Sequence, residues 1–140
     1  MAVFIRPNKT AGLRHLALNV INFESSVDFY TRLLGMGIEW QPDADNLYLT
    51  SGNDNLALHR AEINGEAIKE RTGPQSLDHL GFIIDTKEDV INWFNFLKQE
   101  GVEMLSEAKD HRDGARSFYC KDPDGNAVQI IYHPPLSTAQ

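Results

Sequence analysis

The sequence predicts an α+β fold made of two tandem βαβββ modules, and three observations carry that prediction. A stretch with strict two-residue alternation occurs twice, at residues 13–20 and 77–84, each time with a histidine at its third position, His15 and His79. Apolar alternation with β-branched and aromatic residues is the signal of a half-buried strand. The two histidines lie 64 residues apart, and the same offset pairs Val27 with Ile91, Phe29 with Trp93, Leu33 with Leu97, Gly37 with Gly101 and Ile38 with Val102. Such a register, unbroken across a strand, a helix and the start of another strand, marks one duplicated unit rather than a solenoid, which needs more copies. Each copy then ends in short apolar runs separated by turn-forming residues.

The elements follow in order. Residues 1–10 contain Pro7 and no periodicity, and are expected to form an arm or a stray edge strand. After the first strand, Asn22 is a candidate helix cap, since its side-chain oxygen can accept from the free amides of a first turn. Phe23, Val27, Tyr30 and Leu34 mark one helical face, closed by Gly35 or Gly37. Residues 37–41, 46–51 and 55–61 read as three strands, interrupted by Pro42-Asp43 and Gly52-Asn53-Asp54. The first module therefore spans about 12–61, and the polar stretch 62–76 is the connector. The second module covers about 77–133. Its helix begins at Asp85-Thr86, buries Val90, Trp93, Phe94 and Leu97, and ends at Gly101. Residues 102–107 read as a strand and 108–114 as a charged loop. Residues 115–121 and 126–133 form a hairpin around Asp122-Pro123-Asp124-Gly125, where proline presets the turn and glycine supplies positive φ. The chain from Pro134 onward is expected to be mobile.

Composition narrows the function classes. At 140 residues with 41% hydrophobic content, the chain suits one globular domain with its own core. Thirteen basic against twenty acidic residues give a net charge of −7 without a basic patch, which argues against nucleic acid and anionic membrane surfaces as partners. No run is long and apolar enough for a membrane span, and no signal-peptide pattern opens the chain. The single cysteine, Cys120, cannot form an internal disulfide, so a reducing cytoplasm is the expected compartment.

Alternation also sorts the candidate site residues. One face of each histidine strand is large and apolar. The other carries an imidazole followed by a small residue, Ala17 or Gly81. An imidazole beside missing volume, built twice, reads as a pocket wall. The last strands of the modules align with an offset of 72, which places Ala57 opposite Gln129 in the repeat and puts Asn55 and His59 on the same face as Ala57. Trp40, Tyr48 and Tyr119 are candidates to line a pocket for a planar ligand, although aromatic residues in strands commonly serve as core or interface.

Taken together, residues 13–16 (Leu-Arg-His-Leu), 27–36 (Val-Asp-Phe-Tyr-Thr-Arg-Leu-Leu-Gly-Met), 77–81 (Leu-Asp-His-Leu-Gly) and 117–126 (Ser-Phe-Tyr-Cys-Lys-Asp-Pro-Asp-Gly-Asn) resemble the vicinal oxygen chelate superfamily of glyoxalases, extradiol dioxygenases and fosfomycin- and bleomycin-resistance proteins. The resemblance implies a cupped mixed sheet, usually completed in a homodimer, with a divalent ion (Zn, Fe, Mn or Ni) in the cup of the metal-dependent members. Their ligands are a histidine or glutamine on the first strand of each module and a glutamate on the last. Carried over, His15, His79 and Gln129 are the expected metal ligands, with Ala57 where a further glutamate would stand. His59, Ala57, Tyr119 and Trp40 are the expected pocket residues. A neutral glutamine is a weaker donor than a carboxylate and cannot serve as the general base. The expectation is therefore a metal-dependent lyase or dioxygenase acting on a small molecule with adjacent oxygens. The alternative is a metal-free module that sequesters a small molecule, as bleomycin-resistance proteins do.

Overall fold

In the computed structural model, which describes residues 4–71, 73 and 75–134, an exposed arm without regular structure leads into β1 (His15–Val20). The first module continues with α1 (Phe23–Asp28), a π-helical turn (Phe29–Leu33), β2 (Gly37–Asp43), β3 (Asn46–Thr50) and β4 (Asn55–Arg60). A small hairpin, β5 (Glu62–Ile63) and β6 (Glu66–Ala67), occupies part of the connector. Its turn is Asn64-Gly65, both at positive φ, which is the conformation that two-residue hairpins demand. The second module comprises β7 (Leu80–Ile83), α2 (Lys87–Gln99), β8 (Lys109–Asp110), β9 (Arg116–Lys121) and β10 (Ala127–Tyr132).

The two four-stranded sheets have the same plan, β1-β4-β3-β2 and β7-β10-β9-β8. In both, the first strand of the module lies at an edge and pairs parallel with the last. A parallel pair requires a long crossover, and the helix with its following strands supplies it. The α+β class and the duplicated order are thus what the alternation and the repeat predict. Among the described residues no helix is long and apolar enough to cross a membrane.

One apolar cluster joins the modules. Leu18, Val20, Leu47, Leu49, Leu56 and Leu58 of the first sheet meet Phe118, Cys120, Val128 and Ile130 of the second, with Phe29, Tyr30, Leu33, Val90, Phe94 and Leu97 from the helical segments. Phe94 and Phe118 pack edge to face at 5.3 Å. Leu97 is fully buried, so Leu97→Ala would cost about 2–5 kcal/mol through lost transfer energy and the cavity left behind. Cys120 lies in this core, and burial pushes its thiol up to about 12, which makes it unreactive.

The Asp-Pro-Asp-Gly hairpin ties the modules together. Asp122 accepts the Tyr30 hydroxyl at 2.7 Å inside the core. Asp124, with its side chain 1% exposed, accepts the backbone N–H groups of Ile21 (2.9 Å) and Asn22 (2.8 Å) and an Arg71 N–H (2.5 Å).

Local departures from the sequence reading have identifiable causes. Asn22 occupies the N-cap position of α1, yet its side chain makes no cap bond. Its amide donates instead to the Pro123 carbonyl and to Asp124, so the anion at this helix start comes from the other module. The first helical segment buries Phe23, Ser26, Phe29, Tyr30 and Leu33, while Val27 and Leu34 lie at the margin of that face and are only partly buried. The segment ends at Gly35, whose φ of +80° lets the chain leave the helix, and Gly37 already belongs to β2. Pro42 and Asp43 lie within β2 rather than breaking it, because β2 is an edge strand where a missing N–H is tolerated. The strand expected at 102–107 reduces to a bridge between Met104 and Cys120 flanked by backbone bonds to Tyr119 and Lys121, and pairing resumes at β8. The histidine strands are also shorter than expected, and His79 immediately precedes β7. Of the tail expected to be mobile from Pro134 onward, Pro134 itself is half-buried beside Gly114, and residues 135–140 lie outside the described residues.

Candidate functional site

Alternation turns the large apolar side chains of each sheet toward the helices and leaves polar and small residues on the opposite face. In the first sheet that face carries His15, Ala17 and Asn19 on β1, beside Asn55, Ala57 and His59 on β4, in register. Asn46 and Tyr48 of β3 lie opposite His59 and Ala57, and Trp40 of β2 lies opposite Tyr48. In the second sheet, Gly81 of β7 pairs with Gln129 of β10, which pairs in turn with Tyr119 of β9.

The imidazoles are held in a common way. His15 Nδ1 lies 2.5 Å from Asn55 Oδ1, and the Asn55 amide nitrogen donates to Glu39 Oε1 at 2.5 Å. Glu39 also meets Arg14 at 3.4 Å. Because a carboxylate only accepts, the Asn55 amide nitrogen faces Glu39, its oxygen faces His15, and the proton of the neutral imidazole sits on Nδ1. His59 repeats the arrangement. Its Nδ1 lies 2.5 Å from Asn46 Oδ1, and the Asn46 amide donates to both oxygens of Asp43 at 2.8 and 3.0 Å. His79 Nδ1 donates directly to Asp78 Oδ1 at 2.7 Å. In all three rings Nε2 is left with its lone pair, the form that binds a cation or accepts a proton.

Gln129 is oriented by a similar device. Its amide nitrogen donates to Ser117 Oγ at 3.1 Å, and that hydroxyl lies 2.9 Å from His111 Nε2. The Gln129 oxygen therefore faces the other way, over Gly81. A Cβ added at Gly81 would sit 3.4 Å from Oε1, so the small residue beside the second histidine makes room for the glutamine oxygen. His79 and Tyr119 meet edge to face at 5.2 Å on the same sheet.

Around Tyr48 the first sheet forms an aromatic surface. Trp40 lies 5.1 Å from its ring, His59 meets it edge to face at 5.8 Å, and His15 stacks at 6.3 Å. Trp40 is 59% exposed, so this surface is open to a ligand. Ala57, opposite Tyr48, is fully buried and contributes no donor.

The structure therefore groups the candidates in two sets, His79 with Gln129 and Tyr119, and His15 with Tyr48, His59 and Trp40. His15 and His79 both line a cleft of about 320 Å³ together with Leu16, Met36 and Gly81. A larger groove of about 790 Å³ lies on the helical side, where Asp28 and Glu100 are already paired with Arg32, and it contains none of the three imidazoles. Among the described residues no three His, Cys, Asp or Glu side chains converge to hold an ion. Sequence reading missed the residues that orient the donors: Asn55, Glu39, Asn46, Asp43, Ser117 and His111. Alternation did place Asn55 on the correct face, but Asp43 read only as a turn former and His111 fell within the charged loop expected at 108–114.

Comparison with known proteins follows the same lines. The model of the Glyoxalase/Bleomycin resistance protein/Dioxygenase superfamily matches residues 12–130. A trivalent organoarsenical cleaving enzyme from Bacillus sp. (strain MD1) is 29% identical over 138 residues, covering 86% of this chain and 79% of that protein. The metallothiol transferase FosB of Staphylococcus haemolyticus (strain JCSC1435) is 31% identical over 121 residues, covering 85% of this chain and 81% of its own. Among solved structures, lactoylglutathione lyase from Agrobacterium tumefaciens has the same fold, with a TM-score of 0.69 over 88% of this chain and 94% of that one at 21% identity.

Proposed function

The chain belongs to the Glyoxalase/Bleomycin resistance protein/Dioxygenase superfamily, and from that premise we propose that it binds a divalent metal ion through His15, His79 and Gln129 and acts on a small molecule with adjacent oxygen atoms. The observation that carries this reading is the fixed tautomer. His15 and His79 each commit Nδ1 to an oxygen acceptor, and Gln129 commits its amide nitrogen to Ser117, so two imidazole nitrogens and one amide oxygen remain as donors. Such a set suits zinc, iron, manganese or nickel, and the oriented second partner is what metal-binding histidines use.

All three donors are neutral. A dication held by them keeps its full charge, and an anionic chelating substrate supplies the compensation that a carboxylate ligand would otherwise give. When bound, the ion supplies Lewis-acid polarisation of a substrate oxygen. The chain's own residues orient that substrate: Trp40 and Tyr48 offer stacking faces, and the open edge of the cleft admits it. The names of the relatives, an organoarsenical cleaving enzyme and a metallothiol transferase, support a small-molecule transformation of lyase or transferase type. No step needs Gln129 to carry a proton.

The donors stand on two separate sheets, with β1 and β7 each at an edge. Leu13 and Ile83, beside these edges, are exposed. This supports a homodimer in which a second copy covers the edges, and light scattering should give twice the 15.8 kDa chain mass. A monomer at micromolar concentration counts against it.

The second reading, a metal-free binding module, is favoured by Ala57 and Gln129, since neither acidic position is filled. Elemental mass spectrometry on untagged protein, beside a His15→Ala/His79→Ala double variant, separates the two. Stoichiometric metal that vanishes in the variant supports the metal site. No metal after incubation with each ion and dialysis overturns it in favour of sequestration.

A further inference from the structure

The first module holds a second imidazole that the proposed metal site does not use. His59 lies four residues further along β4 than Asn55, the register partner of His15. At the usual strand rise that is about 13 Å, too far for both rings to ligate one ion. Yet His59 is anchored as carefully as His15, through Asn46 to the Asp43 carboxylate, and it stands at the edge of the exposed Trp40–Tyr48 surface.

We propose that His59 is a proton acceptor for a planar, uncharged ligand bearing an acidic hydroxyl, stacked on Trp40 and Tyr48, with Asn46 and Asp43 as its positioning residues. The ligand class follows from the surroundings. Nε2 is an acceptor only, so the ligand must bring a donor. The aromatic faces favour a flat ring. With no cation bound to offset them, Glu39 and Asp43 on the same sheet, and a net charge of −7, disfavour a ligand that arrives as an anion. The proton passes from the ligand hydroxyl to Nε2, leaving an oxyanion on the ligand and an imidazolium whose Nδ1–H stays on Asn46. Asp43 is the charged group that faces this imidazolium, Tyr48 is the other titratable neighbour, and β1 presents the neutral Asn19. Backbone and Asn46 donors hold the Asp43 carboxyl below its usual range, so it is ionised and ready to stabilise that charge. The proposal rests on the cup face being a small-molecule site, but it needs no bound metal.

The test uses full-length protein stripped with chelator, with 4-nitrophenol as the probe, because its phenolate absorbs separately from its phenol. At a pH where the free probe is mostly phenol, wild type should convert bound probe to phenolate about tenfold more than His59→Phe, as expected for loss of an adjacent charge partner. Trp40→Ala should weaken binding about fivefold, the worth of one aromatic contact. Nitrogen NMR of the imidazoles in free protein should show His59 protonated at Nδ1 and bare at Nε2. If His59→Phe does not fold, Asp43→Asn on the exposed edge strand replaces it and should also lower the phenolate fraction. An unchanged phenolate fraction in the folded variant, a proton at Nε2, or no probe binding at millimolar concentration overturns the proposal. Because metal content is measured separately, its failure leaves the metal reading standing, and the reverse also holds.

Discussion

Asp124→Ala should unlock the two modules, and the structure sets the size of the effect. The carboxylate accepts Ile21 N–H at 2.9 and 3.1 Å, Asn22 N–H at 2.8 Å and Arg71 Nη2–H at 2.5 Å. Hydrogen bonds to a charged acceptor contribute about 1.5–3 kcal/mol each, most where the stranded donor is shielded from water. Ile21 is partly buried, so its N–H carries the main loss. Asn22 is exposed and water replaces its bond. The Arg71 side chain is 33% exposed, and that pair adds less than about 1 kcal/mol. The sum is about 3 kcal/mol, a large fraction of the roughly 5–15 kcal/mol that holds a domain folded. For a chain of this length that corresponds to a fall in Tm of about 10 °C. Urea and thermal unfolding followed by circular dichroism measure it. Asp110→Ala, which removes a surface partner of Arg116, is the control, at less than about 1 kcal/mol. Amide exchange at Ile21 and Asn22 should quicken only in the Asp124 variant. If Asp124→Ala loses no more stability than the control, the clasp is decoration and the relative placement of His15 and His79 has another origin.

Two further outcomes follow from the same contacts. Gln129→Glu places a full charge where the amide oxygen now lies, and titration calorimetry should show divalent metal binding tightened by at least about tenfold; no gain would remove Gln129 from the ligand set. Burial, with Asp122 adding to it, raises the Tyr30 phenol well above its ordinary range. The folded state thus favours the neutral phenol, so this contribution is complete below the ordinary tyrosine value of about 10 and is lost as pH rises beyond it toward the folded-state value. Tyr30→Phe should cost about 1.5–3 kcal/mol at neutral pH and lose less further stability than wild type when urea midpoints at neutral pH and above pH ~10 are compared; parallel losses would assign the alkaline sensitivity to another group.

Much of the fold was legible because two periodicities and one repeat are local properties of the chain. His15 and His79 start equivalent alternating stretches, and both sheets form with the same strand order. What alternation cannot show is which groups across a sheet hydrogen-bond. Asn55 shares a face with His59 by simple parity, but the bond from Asn55 to Glu39 spans β4 to β2 by way of an irregular register near Trp40. Asp43 does open the β2–β3 turn, accepting the Asp45 N–H at 2.8 Å, and only its pairing with Asn46 across that turn makes it the anchor of Asn46 as well. The π turn is equally invisible to a 3.6-residue pattern.

The placement of charge is where sequence and structure together say most. Read residue by residue, the cup has lost its carboxylates: Ala57 and Gln129 are neutral. The structure shows carboxylates one bond further back, Glu39 behind Asn55, Asp43 behind Asn46, and Asp78 directly behind His79. A carboxylate in that position does not neutralise whatever sits in the cup at contact distance. It fixes the imidazole tautomer and stabilises positive charge on the ring. Such a site presents basic nitrogens and leaves charge compensation to the ligand. The same arrangement therefore fits both proposals, a dication awaiting an anionic chelator at His15 and His79 and a ligand hydroxyl giving up its proton at His59. A Glu at position 57 or 129 would trade that openness for tighter metal binding, so the neutral residues at both positions fit a site whose ligand, rather than whose protein, completes the charge balance.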